Sequence, residues 1–395
     1  MSSIAEIKKR LKVNWYQFIN NNSKKLSMNV IDGSSPPSIF VGEFGYPQVR
    51  IGPMIPPYHG DTSILDKPEL WTGKSLEEIV NYRINLLKGT MVHRVNDISG
   101  RYIDYLQEMA LSKNVVESTV TFEKIPSRYV NEMTLTRNES EEIPTIFSAP
   151  VSDFKIIPST ADRNIEKKYY DDDSYAIDAI IDLYNNNIDV SRISKVLSMG
   201  MLGRKKNRKL VPTKWSITAA DDVLSLYLIN KIKDNPILDN YLVFDFNHLA
   251  NYYSVIFIPD DVWSFEMIES WIDTNGRIHI ASDYESGKKI DHYPSIAGAY
   301  FAARLSVAEY LIKKRKKGSV LILREIHPEY FVSLGVWQVR EGIRECLKSK
   351  GNSFESFDSA IKYGVAKTTL SKTEWIKNSS IIKNKKQKRM SDYVN

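Results

Sequence analysis

The sequence predicts an α+β fold: mixed helices and a largely antiparallel sheet in one large body, followed by a flexible C-terminal tail. Three observations carry this. Helical and alternating patterns are interleaved without strict βαβ repetition, which argues against a doubly wound sheet. YLVFDFNHLANYYSVIFI (241–258) reads as two strands joined by a turn, and Asn275-Gly276 is a hairpin signal between further strand runs. Residues 372–389 are rich in Lys, Asn and Ser and read as a tether. The expected organisation is a body over 1–365, with a candidate subdomain boundary near 136–172, and a tail over 366–395.

The elements follow in order. Residues 4–20 fit a basic amphipathic helix, and GSSPPS (33–38) reads as a break. SIFVGEF (38–44) and PQVRIGPMIPP (47–57) are short β-like runs around Gly45-Tyr46-Pro47. Gly42, Gly45 and Gly52 suit tight turns or close backbone approach. Ser75 opens a helix to about Lys88, and a second covers 98–112. VVESTVTFEKI (115–125) alternates like a half-buried strand. The polar stretch 136–172, carrying NESEE and KKYYDDD, reads as loop. Helices are expected at 173–185, 190–199 and, after the basic run 204–214, from about 219 to 233, where Thr218 and Asp221 fit a capping box. Strands over 262–284, a helix at 295–316, a buried strand SVLILREI (319–326) and a helix near 336–349 complete the body.

Composition bounds the function classes. The 395 residues are 42% hydrophobic, with 22 Tyr and 14 Phe, ample for a core. The net charge of +6 is modest, so its distribution matters more than its sum. The single cysteine, Cys346, excludes an internal disulfide and a thiolate zinc site. The N-terminal stretch lacks an apolar signal-peptide core, and no run approaches the ~18 apolar residues of a membrane span. A cytoplasmic protein without membrane contact is expected.

Several motifs carry chemistry. In QKRMSDYVN, Met390, Tyr393 and Val394 are spaced i, i+3, i+4 and would share one helical face, with the Gln387 amide at its rim. Such a plug suits a preformed hydrophobic pocket. It resembles the motif that binds the sliding clamp PCNA, which has Gln, two spacers, an aliphatic residue, two spacers and two aromatics. Val394 departs from that pattern, and the missing ring weakens the expected contact. Lys385, Lys386, Lys388 and Arg389 suit an acidic clamp surface or nearby DNA.

A second motif is RKKNRKLVPTK, which holds Arg204, Lys205, Lys206, Arg208, Lys209 and Lys214 with no acidic residue. Clustered cations neutralise phosphates without sequence preference, and Trp215 beside them could stack on a base. Gly73-Lys74-Ser75 is not a P-loop, because Pro68 stands where the earlier glycine is needed. Ser75 and Glu78 instead fit a capping box. Glu325, His327 and Glu329 alternate after an apolar strand and could transfer protons or bind metal, although Pro328 interrupts the run and polar strand ends are common. Arg50, Asp245, Glu325 and His327 outline a candidate pocket. His59, His93, His248, His279 and His292 lack metal-ligand spacing, and no metal or cofactor is assigned. Cys346 reads as core.

Four runs are long and specific: PPSIFVGEFGYPQVRIGPMIPP (36–57), KLVPTKWSITAADD (209–222), GAYFAARLSVAEYL (298–311) and LILREIHPEYFVSLGVWQVREGIR (321–344). They resemble the archaeal Nre family of DNA repair proteins. The resemblance implies a role at damaged DNA and, through the tail, a contact with PCNA. It implies no particular reaction. Some members begin with a cysteine-rich, zinc-finger-like segment; here no Cys precedes Cys346, so no zinc-dependent contact is expected. The leading expectation is a repair factor that binds DNA through the basic run and is delivered to PCNA by its tail. The rivals are an enzyme acting on nucleotides or damaged DNA, and a scaffold between PCNA and another protein.

Overall fold

Strands form where the period-2 alternation of apolar residues meets a partner with the matching register. The computed structural model describes residue 6 and residues 29–124, 127–128, 147–273 and 275–386. The expected helix at 4–20 and the motif at 387–395 lie outside the described residues, apart from Glu6. The chain divides into two units, Met1–Leu224 with Val332–Gly335, and Ser225–Phe331 with Val336–Asn395.

The first unit holds a seven-stranded sheet of β1 (Val30–Ser35), β2 (Ile39–Val41), β3 (Gln48–Ile55), β4 (Leu87–Arg94), β5 (Val116–Phe122), β6 (Ser127–Arg128) and β7 (Phe147–Ile157). Its order is β1-β5-β7-β4-β3-β2, with β6 paired to β7. Only β4 and β7 run parallel. Around it are α1 (Leu76–Ile84), α2 (Arg101–Leu111), α3 (Arg163–Tyr169), α4 (Ala176–Asn185) and α5 (Val190–Ser198). Ser75 and Glu78 cap α1 reciprocally, as the sequence predicts.

Three expectations are corrected here. GSSPPS is not wholly a break, because Val30–Ser35 pairs with β5 and Ser34 Oγ donates to Glu117. The polar stretch 136–172 contains β7, a strand flanked by β5 and β4 in the sheet, and α3, whose N-cap Asp162 accepts from Asn164 and Ile165. Sheet pairing there overrides weak local propensity. Helix α6 (Thr213–Ile232) begins at Thr213, behind Pro212, rather than near 219. Thr218 is therefore not a cap; its hydroxyl donates back to the Trp215 carbonyl inside the helix.

The second unit holds β8 (Tyr241–His248), β9 (Asn251–Ile258), β10 (Ser264–Ile272), β11 (Ile278–Ser286), β12 (Ser319–Ile326) and β13 (Asn352–Phe354), in the order β11-β10-β12-β9-β8-β13. Only β10 and β12 run parallel. Leu249 and Ala250, both at positive φ, make the two-residue turn expected between β8 and β9. β12 is buried throughout, as its unbroken apolar run predicts. Two largely antiparallel mixed sheets with eleven α-helices among the described residues make the fold α+β.

The helices of this unit are α7 (Gly298–Lys314), α8 (Trp337–Cys346), α9 (Phe357–Val365), α10 (Lys372–Asn378) and α11 (Ser380–Lys386). Residues 366–386, expected to begin a flexible tail, are folded into the unit. Leu370, Trp375, Ile381 and Ile382 join Val243, Ile256, Leu321 and Leu323 in one core cluster. The Lys- and Asn-rich composition hid this because only one face of each short helix is apolar. No helix among the described residues is long and apolar enough to cross a membrane.

Candidate nucleic-acid interface

The β2–β3 connection, Gly42 to Pro47, turns the chain sharply. Tyr46 N–H donates to the Glu43 carbonyl at 3.3 Å, and Gln48 N–H to that of Gly45 at 2.9 Å. Gly45 sits at φ +87°, and a Cβ there would lie 2.8 Å from the Gln48 carbonyl, so no other residue fits without strain. Gly52 serves the other purpose foreseen for these glycines: a Cβ there would lie 2.1 Å from the Gly89 carbonyl across the β3–β4 pair. The turn throws its side chains outward, and Phe44 is 88% exposed.

The start of α6 lies against this hairpin. Val41 N–H donates to Thr213 Oγ1 at 2.9 Å. Trp215 Nε1 donates to Glu43 Oε2 at 3.1 Å, and Lys214 Nζ lies 3.5 Å from Glu43 Oε1. The Tyr46 and Trp215 rings stand 5.2 Å apart at 45°. Both remain 43% exposed. Arg50 pairs in register with Val92, and Gln48 with Arg94; all four are exposed.

The basic run ahead of α6 is divided by the fold. Arg208 turns inward, its side chain 5% exposed, and donates to the carbonyls of Gly203, Tyr169 and Asp171. Arg204 lies over the Tyr175 ring at 4.0 Å and donates to the Asp173 carbonyl. Lys205 Nζ is 3.5 Å from Asp172. The run without acids in sequence thus meets the acidic turn Asp171–Asp173 in space. A cavity of about 450 Å³ between them is lined by Asp172, Asp173, Arg204, Lys205 and Lys206. Lys206 and Lys209 remain exposed without ion pairs among the described residues.

Glu325, His327 and Asp245 lie in the second unit, where each is engaged by neighbouring groups. Glu325 is fully buried and accepts from Thr369 N–H, Thr369 Oγ1 and Leu370 N–H, with His327 Nε2 at 2.6 Å. Burial alone would raise its pKa, but the bonds from Thr369, Leu370 and His327 outweigh it and hold the carboxyl below its usual value. Asp245 lies on β8, separated from β12 by β9, and meets Lys367 Nζ at 3.3 Å and the Tyr363 hydroxyl at 3.4 Å. Arg50 belongs to the first unit. Burial pushes the Cys346 thiol up, which suits a core residue and not a nucleophile.

Residues 11–275 match the family model for the N-terminal part of archaeal Nre, and residues 285–393 match that for the C-terminal part. The chain belongs to the archaeal Nre family. It is 35% identical over 370 residues to the DNA repair protein NreB of Archaeoglobus fulgidus, covering 92% of this chain and 91% of that one. It is 36% identical over 361 residues to NreA of the same organism (89% and 88%), and 30% identical over 351 residues to NreA of Haloferax volcanii (84% and 81%). No solved structure matches.

The first Nre model ends between β10 and β11 and the second begins near the end of β11, whereas the fold divides after Leu224. The runs that resemble the family meet in pairs within each unit. Residues 36–57 and 209–222 meet at the hairpin, through Val41–Thr213 and Glu43–Trp215. Residues 298–311 and 321–344 meet inside the second unit, where Arg344 forks onto Glu309 and Ser306 Oγ donates to the Arg340 carbonyl. Beside them Arg324 binds Glu269, Asn251 and Gln338, all buried. Sequence reasoning missed Glu43, Phe44, Tyr46 and Arg94 as site residues. Their signal was two aromatics around a turn glycine, positions that a hairpin cannot bury.

The tail residues Gln387, Met390, Tyr393 and Val394 of this Nre chain lie outside the described residues. They follow directly on α11, whose start is held by Glu266: its buried carboxylate accepts from Ser379 Oγ, Ser380 N–H and Ile381 N–H. Burial raises the Glu266 pKa despite those bonds. Lys385, expected to face the clamp, lies 2.8 Å from Asp260.

Proposed function

We propose that this chain is a DNA repair factor that contacts nucleic acid through basic residues of its first unit and is recruited to PCNA by its C-terminal motif. The observation that carries the repair role is similarity over nearly the whole length to proteins named DNA repair proteins. Lys206 and Lys209, exposed beside Arg204 and Lys205, support non-specific phosphate contact, with Lys214 and Trp215 at its far end and Arg208 holding the loop in shape. Gln387, Met390, Tyr393 and Val394 support the clamp contact by their helical spacing. Because 372–386 is packed, the motif follows a fixed helix instead of a long tether, which narrows the positions the peptide can reach.

The test measures PCNA binding by the full chain, by a chain lacking 387–395, and by a Met390→Ala, Tyr393→Ala variant. Loss of binding in both variants is expected, and unchanged affinity overturns the clamp contact. DNA affinity at two salt concentrations, with Lys206→Glu and Lys209→Glu, tests the other half: the salt slope should fall by about two phosphates.

A further inference from the structure

We infer that the tip of the β2–β3 hairpin, with Trp215, is a stacking platform for unpaired bases, so that the nucleic acid engaged by the first unit is single-stranded or locally unpaired. This rests on the proposed contact with nucleic acid and names its form.

Four large apolar side chains stay in water in and beside this hairpin: Phe44, Tyr46, Val92 and Trp215. Scattered exposed apolar residues are ordinary, but clustered rings mark a contact surface. Two of the rings, Tyr46 and Trp215, are held against each other. The turn is closed by two backbone bonds and a glycine that no side chain can replace. Glu43 fixes the Trp215 indole through Nε1, and Val95 N–H bonds the Pro47 carbonyl at the hairpin's other flank. A ring fixed before binding loses less entropy on binding.

Charge selects the occupant. Arg50 and Arg94 stand on the exposed face of β3 and β4, and neither has an ion pair among the described residues. Arg204, Lys205 and Arg208 are spent on the acidic turn. Glu43, the acid within the turn itself, is engaged by Lys214 and Trp215. Free guanidinium groups beside free rings suit a chain that alternates phosphates and flat bases. A duplex buries its base faces in its own stack and offers rings nothing to stack on, so only unpaired bases use every feature here.

The test uses the full chain and labelled oligonucleotides, an oligo-dT strand and a blunt duplex of equal length, read by fluorescence anisotropy. Phe44→Ala removes a ring with almost no buried surface, so the fold is kept. Phe44→Ala with Tyr46→Ala should weaken oligo-dT binding by about tenfold or more, leave the duplex unchanged and leave the salt slope unchanged. Trp215→Phe, which keeps a ring, should retain most of the affinity that Trp215→Ala loses. Equal losses on both substrates, or none on either, overturn the inference; no loss would leave the patch to a protein partner. If the parent chain binds the duplex with normal salt dependence and oligo-dT no better, the platform falls while the broader reading stands. If it binds neither, both fall.

Discussion

The Glu43–Arg50 hairpin and the Glu325–His327 strand end look alike in sequence: each sets a carboxylate near rings and cations just outside an apolar strand. The fold treats them oppositely. At the hairpin one carboxylate is engaged while Phe44, Arg50 and Arg94 face solvent. At the strand end every acceptor position of Glu325 is filled, and the neighbouring His327 ring packs 4.6 Å from Tyr252. Availability, and not residue type, separates a site from a structural knot: a carboxylate already holding a turn together cannot leave it without exposing buried donors.

The comparison breaks most visibly at the tail. Removing 372–395 takes Trp375, Ile381 and Ile382 from the second unit's core. Loss of a buried Trp alone costs about 3–5 kcal/mol, a large part of an ordinary stability of about 5–15 kcal/mol. That truncation should be insoluble or lack a cooperative melt, whereas removing only 387–395 should leave the melting temperature unchanged. A shorter chain melting like the parent would restore the tether.

Next in size is Glu325→Ala, which strands the Leu370 N–H in the interior and removes the acceptor of the Thr369 N–H. About 2–4 kcal/mol of stability should be lost in denaturant titrations. The sign of the pH effect is fixed by the depressed pKa. The contribution of Glu325 is present above the unfolded value of about 4.5 and fades as pH falls through the lower folded value. The acid limb of the stability curve should therefore flatten in Glu325→Gln. A cost below about 0.5 kcal/mol would return Glu325 to the list of groups free for chemistry.

The difference between these regions was only partly legible in the sequence. The hairpin was, because Gly45 and Gly52 announce their own backbone geometry and β3 alternates visibly. Strands β8, β9 and β12 were, because their apolar runs are long, and β10 and β11 were through the Asn275-Gly276 hairpin signal between them. What stayed hidden depended on distant partners. Nothing near residue 325 says that Thr369 will donate to it, and nothing in RKKNRK says that Asp172 will pair with Lys205 and Arg208. Strand β7 was invisible because it owes its place to its neighbours β5 and β4 more than to its own residues.

Arg208 sharpens the point at smaller cost. Its guanidinium serves three carbonyls, so Arg208→Ala should lose about 2 kcal/mol of stability. The salt slope of DNA binding should be unaffected, since this group faces inward. Lys206→Glu with Lys209→Glu should do the reverse, lowering the slope with the melting temperature held within a degree or two. A changed slope in Arg208→Ala would place that cation at the interface after all.

The smallest effect comes from a pair that matches Glu325–His327 in distance but not in burial. His59 Nδ1 lies 2.6 Å from Glu117 and its Nε2 3.1 Å from Asp32, with all three side chains about half exposed. The bond to Glu117 raises the histidine's pKa above 6.5, with Asp32 adding to it. A raised folded value means the contribution is complete below about pH 6.5 and is lost as pH rises through the folded pKa. Water screens these charges, so the change in stability should be far below that of Glu325→Ala. An NMR titration of the His59 ring should give a midpoint above 6.5 that moves back toward it in Glu117→Gln. An unshifted midpoint would mean that contact distance alone, without burial, does not perturb a histidine in this fold, and the contrast drawn from Glu325 would then rest wholly on its backbone donors.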